Sequence, residues 1–233
     1  MLLEFRTRNY KSFADEMVFS MTPAPKQKGL DDSVLTQKAG SKDYKGLCSA
    51  VIYGPNASGK TNVIGAMDTF KSIVLRGNIN NADAVSLNVA ASSLELVPNC
   101  NGSAAPTEFD IRFVDNGLLV DYSIIIDLGT FLDKDYPRRI REEQLTVNGK
   151  QVFLRNETLE VQLPSVIKDY VNKSIKKKTA KMLDLAKDGL TDTELFLNNG
   201  FKSIYAQKLT AAILDWFANR FIVVCHAEDM RIV

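Results

Sequence analysis

The sequence predicts an α/β fold in which a strand–loop–helix unit adjoins an antiparallel β lobe and a helical segment. Three observations predict it: an apolar run leads into a glycine-rich loop and then a helical pattern, the middle third alternates with period two, and the last third is again helical. The chain has 233 residues, 45% of them hydrophobic, which suffices for a packed core. We expect residues 1–160 to contain the glycine-rich loop and the β lobe, and residues 161–233 to be helical before a final strand.

Composition excludes several protein classes. Lys and Arg total 29 against 28 Asp and Glu, so the chain as a whole is not strongly basic, although a local basic patch is compatible with this balance. Three cysteines without C-x-x-C spacing and a single histidine argue against disulfide scaffolds and Cys/His zinc modules. No apolar run approaches the ~20 residues of a membrane span, and charges interrupt the N-terminus, so we expect a cytoplasmic protein without membrane contact.

The first third predicts a hairpin and a strand–loop–helix unit. Leu2 to Asn9 and Met17 to Met21 read as paired strands, and the polar stretch Thr22 to Lys45 reads as a long loop. That loop is either a segment that contacts a partner or the nucleotide base, or a tolerated insertion. The apolar run Cys48 to Tyr53 indicates a strand buried on both faces, and Thr61 to Leu75 has the spacing of an amphipathic helix.

The rest of the chain predicts an antiparallel meander followed by helices. Turn signals at Asn116-Gly117 and Asn148-Gly149 separate β-rich runs at 109–114 and 118–127, and at 141–147 and 151–155. Helical spacing recurs over 167–185, 191–197 and 203–219, and Phe221 to Cys225 reads as a buried strand. We assign Tyr205, Trp216 and Phe217 to the core because they lie at core-facing spacing.

The glycine-rich loop fits the phosphate-binding pattern G-x-x-x-x-G-K-[ST]. Its residues are Gly54, Pro55, Asn56, Ala57, Ser58, Gly59, Lys60 and Thr61. The two glycines allow the backbone to curl so that its N–H groups point at phosphate oxygens, next to the start of a helix that favours negative charge. Lys60 is predicted to reach the β and γ phosphates, and the Thr61 hydroxyl to bind Mg²⁺. The loop predicts ATP and Mg²⁺ as cofactors.

With Asn9-Tyr10-Lys11-Ser12-Phe13 and the loop Gly54 to Asn62, the sequence resembles the ATP-binding-cassette ATPases of the SMC/RecF/OLD type. Within these it is most similar to stand-alone bacterial AAA-family ATP-binding proteins of anti-phage and abortive-infection operons. The resemblance implies a P-loop NTPase core, Asn62 as part of the nucleotide loop, and Asn9 and Lys11 near the base. It also implies ATP held between two heads of a homodimer or higher oligomer, with DNA or an effector nuclease as partner.

Three motifs that this family implies are absent from the sequence: a second Ser-Gly signature loop, an apolar strand ending in Asp-Glu, and a switch histidine. Asp121 and Asp127 end apolar runs but lack the following glutamate, so exposed strand-end carboxylates are the better interpretation. His226 follows an apolar run and is interpreted as a polar end-of-strand residue rather than a switch. The catalytic residues therefore stay unknown. We expect an N-terminal portion of a longer ATPase, truncated before the second half of the core and inactive in hydrolysis alone.

Two other functions compete with an ATPase switch. One is a nucleotide-gated scaffold that binds ATP and a partner with little turnover. The other is a small-molecule or nucleotide kinase, which would need arginines soon after the first helix, whereas Arg138, Arg139 and Arg141 come later, among strands. A lysine cluster would allow contact with nucleic-acid phosphates, but a solvated helix face is favoured because the net charge is only +1; its members are Lys173, Lys176, Lys177, Lys178 and Lys181.

Overall fold

One antiparallel sheet organises the fold. The computed structural model describes residues 1–25, 29, 31–80, 94–100, 104–131, 133, 136–173, 175 and 189–224. In spatial order the seven strands are β2 (Met17–Ser20), β1 (Leu2–Arg8), β5 (Thr107–Asp115), β6 (Leu118–Asp127), β7 (Arg139–Val147), β8 (Lys150–Arg155) and β9 (Leu159–Val161). The predicted opening hairpin and meander are thus confirmed, and β9 extends the meander by one short strand.

Alternation and turn chemistry explain the sheet. In β5, Phe109, Ile111 and Phe113 are buried on one face, while the residues between them lie on the other. The Asn116-Gly117 turn has φ values of 48° and 77°, and the Asn148-Gly149 turn has values of 49° and 72°. Positive φ at both central residues is the geometry that matches strand twist in a two-residue hairpin, and Asn-Gly adopts it most readily.

The predicted long loop Thr22 to Lys45 is wrong in its second half. Strands β3 (Val34–Ala39) and β4 (Lys42–Leu47) form a separate two-stranded hairpin there. Gly40, with φ of 59°, allows the tight turn between them. Ala39 is buried with Leu3 and Val114 of the main sheet, so an apolar anchor holds this otherwise polar hairpin in place.

Helix α1 (Lys60–Arg76) confirms the predicted amphipathic helix. Its buried face includes Val63, Phe70 and Ile73, which pack against the sheet. It ends at Gly77, whose φ of 74° is the left-handed conformation of a helix C-terminus and whose N–H donates to the Ile73 carbonyl.

The C-terminal helices are displaced from their predicted positions. The structure has α2 (Leu197–Tyr205), α3 (Gln207–Asp215) and α4 (Trp216–Arg220), and both α2 and α4 have wide π-helical turns. Residues 191–196 are not helical because their backbone pairs with the end of α1: the Ile79 N–H donates to Thr193 O, and the Leu195 N–H donates to Gly77 O. The helix predicted over 167–185 has no α-helical turn in its described part: the 3₁₀ turn Ser165–Ile167 reaches only its first residue, and Lys173 and Ile175 are also in 3₁₀ conformation. Residues 174 and 176–188 lie outside the described residues.

Two predicted core strands are not strands. In the run Cys48 to Tyr53, Val51 is 84% exposed and Tyr53 90% exposed, and none of the described strands pairs with it. Residues 222–224 likewise have no strand pairing in the described part, and Ile222 is 60% exposed. Cys225 lies outside the described residues. An apolar run forms a buried strand only where neighbouring strands satisfy its backbone, and the described sheet offers none to these two runs.

A continuous hydrophobic cluster joins the sheet, α1 and the C-terminal helices. Tyr205, Trp216 and Phe217 are buried in it, as predicted. The Trp216 ring stacks on Phe113 of β5 at 3.7 Å between centroids, and Phe217 meets Phe70 of α1 edge-on at 5.8 Å. None of the helices in the described ranges is long and apolar enough to cross a membrane.

Candidate nucleotide-binding site

The loop from Gly54 to Gly59 is an exposed, curled segment immediately before α1. Its curl depends on backbone conformations that most residues avoid: Ala57 has φ of 63° and Gly59 has φ of 88°. A Cβ on Gly54 would lie 3.0 Å from the Ser58 Oγ, so the loop closes tightly on itself there. The two glycines of the motif therefore allow the curled backbone that the sequence pattern predicted, Gly59 by its positive φ and Gly54 by its lack of a Cβ.

Lys60 is the first residue of α1, and its side chain folds back across the loop. Its Nζ donates hydrogen bonds to Gly54 O at 2.9 Å and to Pro55 O at 2.6 Å. The ammonium thus lies over the loop that is predicted to hold phosphates. Phosphate oxygens are stronger acceptors for an ammonium than neutral carbonyls, so a bound polyphosphate can take over these hydrogen bonds.

The start of α1 is suited to an anion. No side chain caps it, and its first turn contains no acidic residue. The first N–H groups of a helix have no partner within the helix, and the helix dipole adds positive potential at that end. Thr61 follows Lys60 and is exposed, so its hydroxyl is available to a Mg²⁺ ion bound with the phosphates. Loop, lysine and threonine together fit Mg²⁺-ATP.

The turn between β1 and β2 packs directly on this loop. The Asn62 Nδ2 donates to the Ser12 Oγ at 2.7 Å. A Cβ on Gly59 would lie 2.7 Å from that Ser12 oxygen and 3.3 Å from the ring of Phe13. Gly59 is therefore required twice, by its backbone angle and by this contact, and the turn fixes the start of α1 against the sheet.

Asn9 and Lys11 lie in the same turn, where both make protein contacts. Asn9 is 7% exposed; its Nδ2 donates to Ala105 O at 2.5 Å, and its Oδ1 accepts from the Asn99 N–H at 3.1 Å. Lys11 pairs with Glu95. Burial lowers the pKa of Lys11, but the interactions with Glu95 and Tyr10 together outweigh burial, so this pKa is above its ordinary value. That either residue lies near a nucleotide base stays a prediction.

The other candidate residues do not join this site. Asp121 pairs with Arg112, and Asp127 accepts from Arg139 at 3.0 Å, both on the face of the sheet away from the core. Their roles as strand-end carboxylates agree with the sequence interpretation. His226 and four lysines of the predicted cluster (176, 177, 178 and 181) lie outside the described residues. Within the described residues, no group of three or more His, Cys, Asp or Glu could hold a metal ion.

Sequence reasoning missed two members of the site. Ser12 belongs to the motif Asn9 to Phe13, but the sequence does not predict its contact with Asn62, because only the fold places the β1–β2 turn against α1. Glu95 carried no sequence signal, because nothing near it in the chain indicates a contact with Lys11, 84 residues away. A positive φ at Lys11, 47°, is equally invisible in the sequence.

Comparison with known proteins agrees with this geometry. A family described as "AAA domain, putative AbiEii toxin, Type IV TA system" matches residues 49–211, which is most of the chain and includes the whole phosphate loop. No curated protein matches the sequence significantly. With its curled glycine loop, its lysine at the helix start and this match, the chain belongs to the AAA domain family of nucleotide-binding P-loop ATPases.

Proposed function

We propose that this protein is an ATP-dependent switch of the SMC/RecF/OLD type, in which Mg²⁺-ATP binds the loop Gly54 to Asn62. The observation that carries the proposal is the position of Lys60, whose ammonium already donates to Gly54 and Pro55 at an uncapped helix start. Membership in the AAA domain family supports nucleotide binding and ATPase activity in general. The finer assignment rests on the resemblance of the Asn9 to Phe13 turn, which contacts this same loop.

A second copy of the protein completes the site in this proposal. The loop and Lys60 can bind phosphates, and Thr61 can bind Mg²⁺, but the carboxylates that ended apolar runs in the sequence are paired with arginines elsewhere. A base that activates water must then come from another part of the protein or from a partner subunit. We propose an anti-phage or abortive-infection role, which the family description of a putative toxin supports. An effector nuclease or DNA as partner and a cytoplasmic location are further parts of this proposal.

The test is Mg²⁺-ATP binding and turnover across a protein concentration series. Lys60→Ala removes the ammonium, and we expect it to weaken binding at least about tenfold, since a charge-assisted hydrogen bond is worth roughly 1.5–3 kcal/mol. Lys150→Ala, at an exposed position of β8, is the matched control and is expected to bind as the wild type. Failure of the wild-type chain to bind Mg²⁺-ATP overturns the proposal. Hydrolysis by a monomer at a concentration-independent specific rate overturns the switch mechanism.

The pairing of Asp121 and Asp127 with arginines favours a second candidate function, a nucleotide-gated scaffold. Such a protein binds ATP and a partner effector but turns over little, because nucleotide binding alone changes its shape. The concentration series separates the two: a specific activity that rises with dimerisation supports the switch, whereas tight binding without turnover at any concentration supports the scaffold.

A further inference from the structure

A second cleft lies away from the phosphate loop, at the β6–β7 connection. It encloses about 180 Å³. Its lining is mixed: Leu96, Val97, Leu128 and Phe131 form an apolar part, and Thr130, Asp133, Tyr136 and Arg138 form a polar edge. The cleft shares no residue with the loop Gly54 to Asn62. Its one backbone link to the β1–β2 turn in the described structure is the Lys11 N–H, which donates to Val97 O at 3.0 Å.

One arginine in this cleft lacks a partner. The Nη1 of Arg138 is buried and makes no hydrogen bond to any described residue. The described residues also give it no ion pair. Burial lowers the pKa of Arg138, and no acidic group of the described residues offsets this effect. This differs from Arg139, which reaches Asp127, and from Arg155, which donates to Thr191 O at 2.8 Å.

Two carboxylates of the described residues lie close to the cleft in the chain, Asp127 and Asp133, and neither neutralises Arg138. Asp127 is occupied by Arg139 and by the Tyr136 hydroxyl, which donates to it at 3.0 Å. That hydrogen bond holds the Tyr136 ring against Gly129, where a Cβ would lie 2.4 Å from the ring. Asp133 lines the cleft but is exposed, and no ion pair joins it to Arg138. Among the described residues, no carboxylate therefore pairs with the positive charge of the Arg138 guanidinium at the edge of the cleft.

Arg138 is half-buried, and its buried Nη1 has lost hydration that no described group replaces, which is unfavourable for the charged guanidinium. An oxyanion restores that balance, since the planar guanidinium fork matches the geometry of carboxylate and phosphate groups. The apolar walls formed by Leu96, Leu128 and Phe131 suit a hydrocarbon or aromatic body, which gains from leaving water. The cleft therefore combines an anchor for an anion with a pocket for an apolar group.

We propose that this cleft binds a small organic oxyanion, a carboxylate or phosphate carried on an apolar body, and that Arg138 is its anchor. The site is separate from the phosphate loop, and the proposal does not depend on ATP binding. The same chemistry can come from a free carboxylic acid or from a phosphate ester, and the probes below distinguish these two sources.

The test titrates the full chain with benzoate and with phenyl phosphate by calorimetry, with inorganic phosphate as the probe that lacks an apolar body. We expect one of the two aromatic anions to bind in the millimolar range or tighter, and more tightly than inorganic phosphate. Arg138→Gln is expected to weaken that binding at least about tenfold. Arg141→Gln is the matched control: it removes an exposed arginine of β7 that does not line this cleft, and it should leave affinity unchanged.

A stability measurement keeps the test decisive if a variant folds poorly. Arg138→Met retains a long stem without the charge, so we expect its melting temperature to equal or exceed that of the wild type. Adding the tighter probe should raise the melting temperature of the wild type but not of Arg138→Met. The proposal is overturned if neither aromatic anion binds the wild type below about 20 mM. It is also overturned if Arg138→Gln binds as the wild type does, or if Arg138→Met melts well below it.

Discussion

Asp110 shows how a single residue on the outer face of the sheet can make stability depend on pH. It lies opposite Arg6 on β1 and Ser123 on β6. Burial, followed by the nearby charge of Asp121, raises the pKa of Asp110 to about 6 from 3.8, although Arg6 and Arg112 act in the opposite direction. Burial and the charge of Asp121 therefore disfavour its negative charge in the folded protein. The two opposing arginines also donate to other carboxylates, Arg6 to Glu4 and Arg112 to Asp121.

We predict that Asp110→Asn stabilises the protein at neutral pH and not at acid pH. A folded-state pKa above the unfolded value gives stability that is present below pH ~4 and is lost as pH rises through about 6. The variant should exceed the wild type by about 1–3 kcal/mol in free energy of unfolding at pH 8 and match it near pH 4. Urea unfolding at several pH values measures this. Asp43→Asn, at an exposed position of β4, is the control, and a difference that does not change with pH would contradict the prediction.

Glu143 of β7 connects this strand to helix α2, because its side chain caps the start of α2. It is fully buried on the core face of β7. Its carboxylate accepts the N–H groups of Phe196 and Leu197 at 2.6 and 2.9 Å, and the hydroxyl of Tyr122 at 2.8 Å. The first N–H groups at the start of α2 thereby find an acceptor that α2 itself cannot supply, and a negative charge meets the positive end of the helix.

We predict that Glu143→Ala lowers the free energy of unfolding by about 3 kcal/mol or more, because it leaves buried donors without an acceptor. Glu143→Gln keeps the shape and one accepting oxygen, so its loss should be smaller, about 1–2 kcal/mol. Chemical denaturation followed by circular dichroism measures both. Glu160→Ala, at an exposed position of β9, should change stability by less than about 0.5 kcal/mol. If Glu143→Ala behaved like this control, α2 would not depend on the cap.

Helices and strands could be predicted where local interactions determine them, and not where distant parts of the chain do. The Asn116-Gly117 and Asn148-Gly149 hairpins and helix α1 were predicted because their signals are local: turn residues with positive φ, and apolar spacing along one face. The run Cys48 to Tyr53 could not be resolved in this way. Its apolar composition indicates a buried strand, yet burial depends on neighbouring strands, and composition does not reveal whether they are there.

In the candidate site, too, local features could be predicted from the sequence and long-range contacts could not. The curled loop Gly54 to Thr61 at the start of α1 could be predicted from the sequence, because the motif is contiguous and each position has its own physical reason. That Lys60 reaches phosphates stays a prediction. The sequence did not predict the contact of Ser12 with Asn62, nor that the described residues leave the guanidinium of Arg138 unpaired. Each depends on segments that are distant in sequence and meet only in the folded chain.

At the scale of the whole molecule, the aromatic residues of α4 connect the C-terminal helices to both the sheet and α1. Phe217 is fully buried and meets Phe70 of α1 at 5.8 Å and Phe113 of β5 at 6.0 Å. Trp216, the only tryptophan in the sequence, stacks on Phe113 and on Phe221. Since one cluster includes all of these rings, the sheet and the helices share the free energy of burial.

We predict that the sheet and the C-terminal helices unfold in one cooperative step, and that Phe217→Ala destabilises both together by about 3–5 kcal/mol. The cost combines lost burial with a cavity between α1, β5 and α4, which none of these elements can fill alone. Trp216 fluorescence reports on the helices, and circular dichroism on the whole chain, so the two urea transitions should coincide in the wild type and shift together in the variant. Val18→Ala, at a position of β2 that is 47% exposed, should shift neither by more than about 0.5 kcal/mol. Separate transitions for the two signals would show that residues 161–233 fold independently of the sheet and would contradict a shared core.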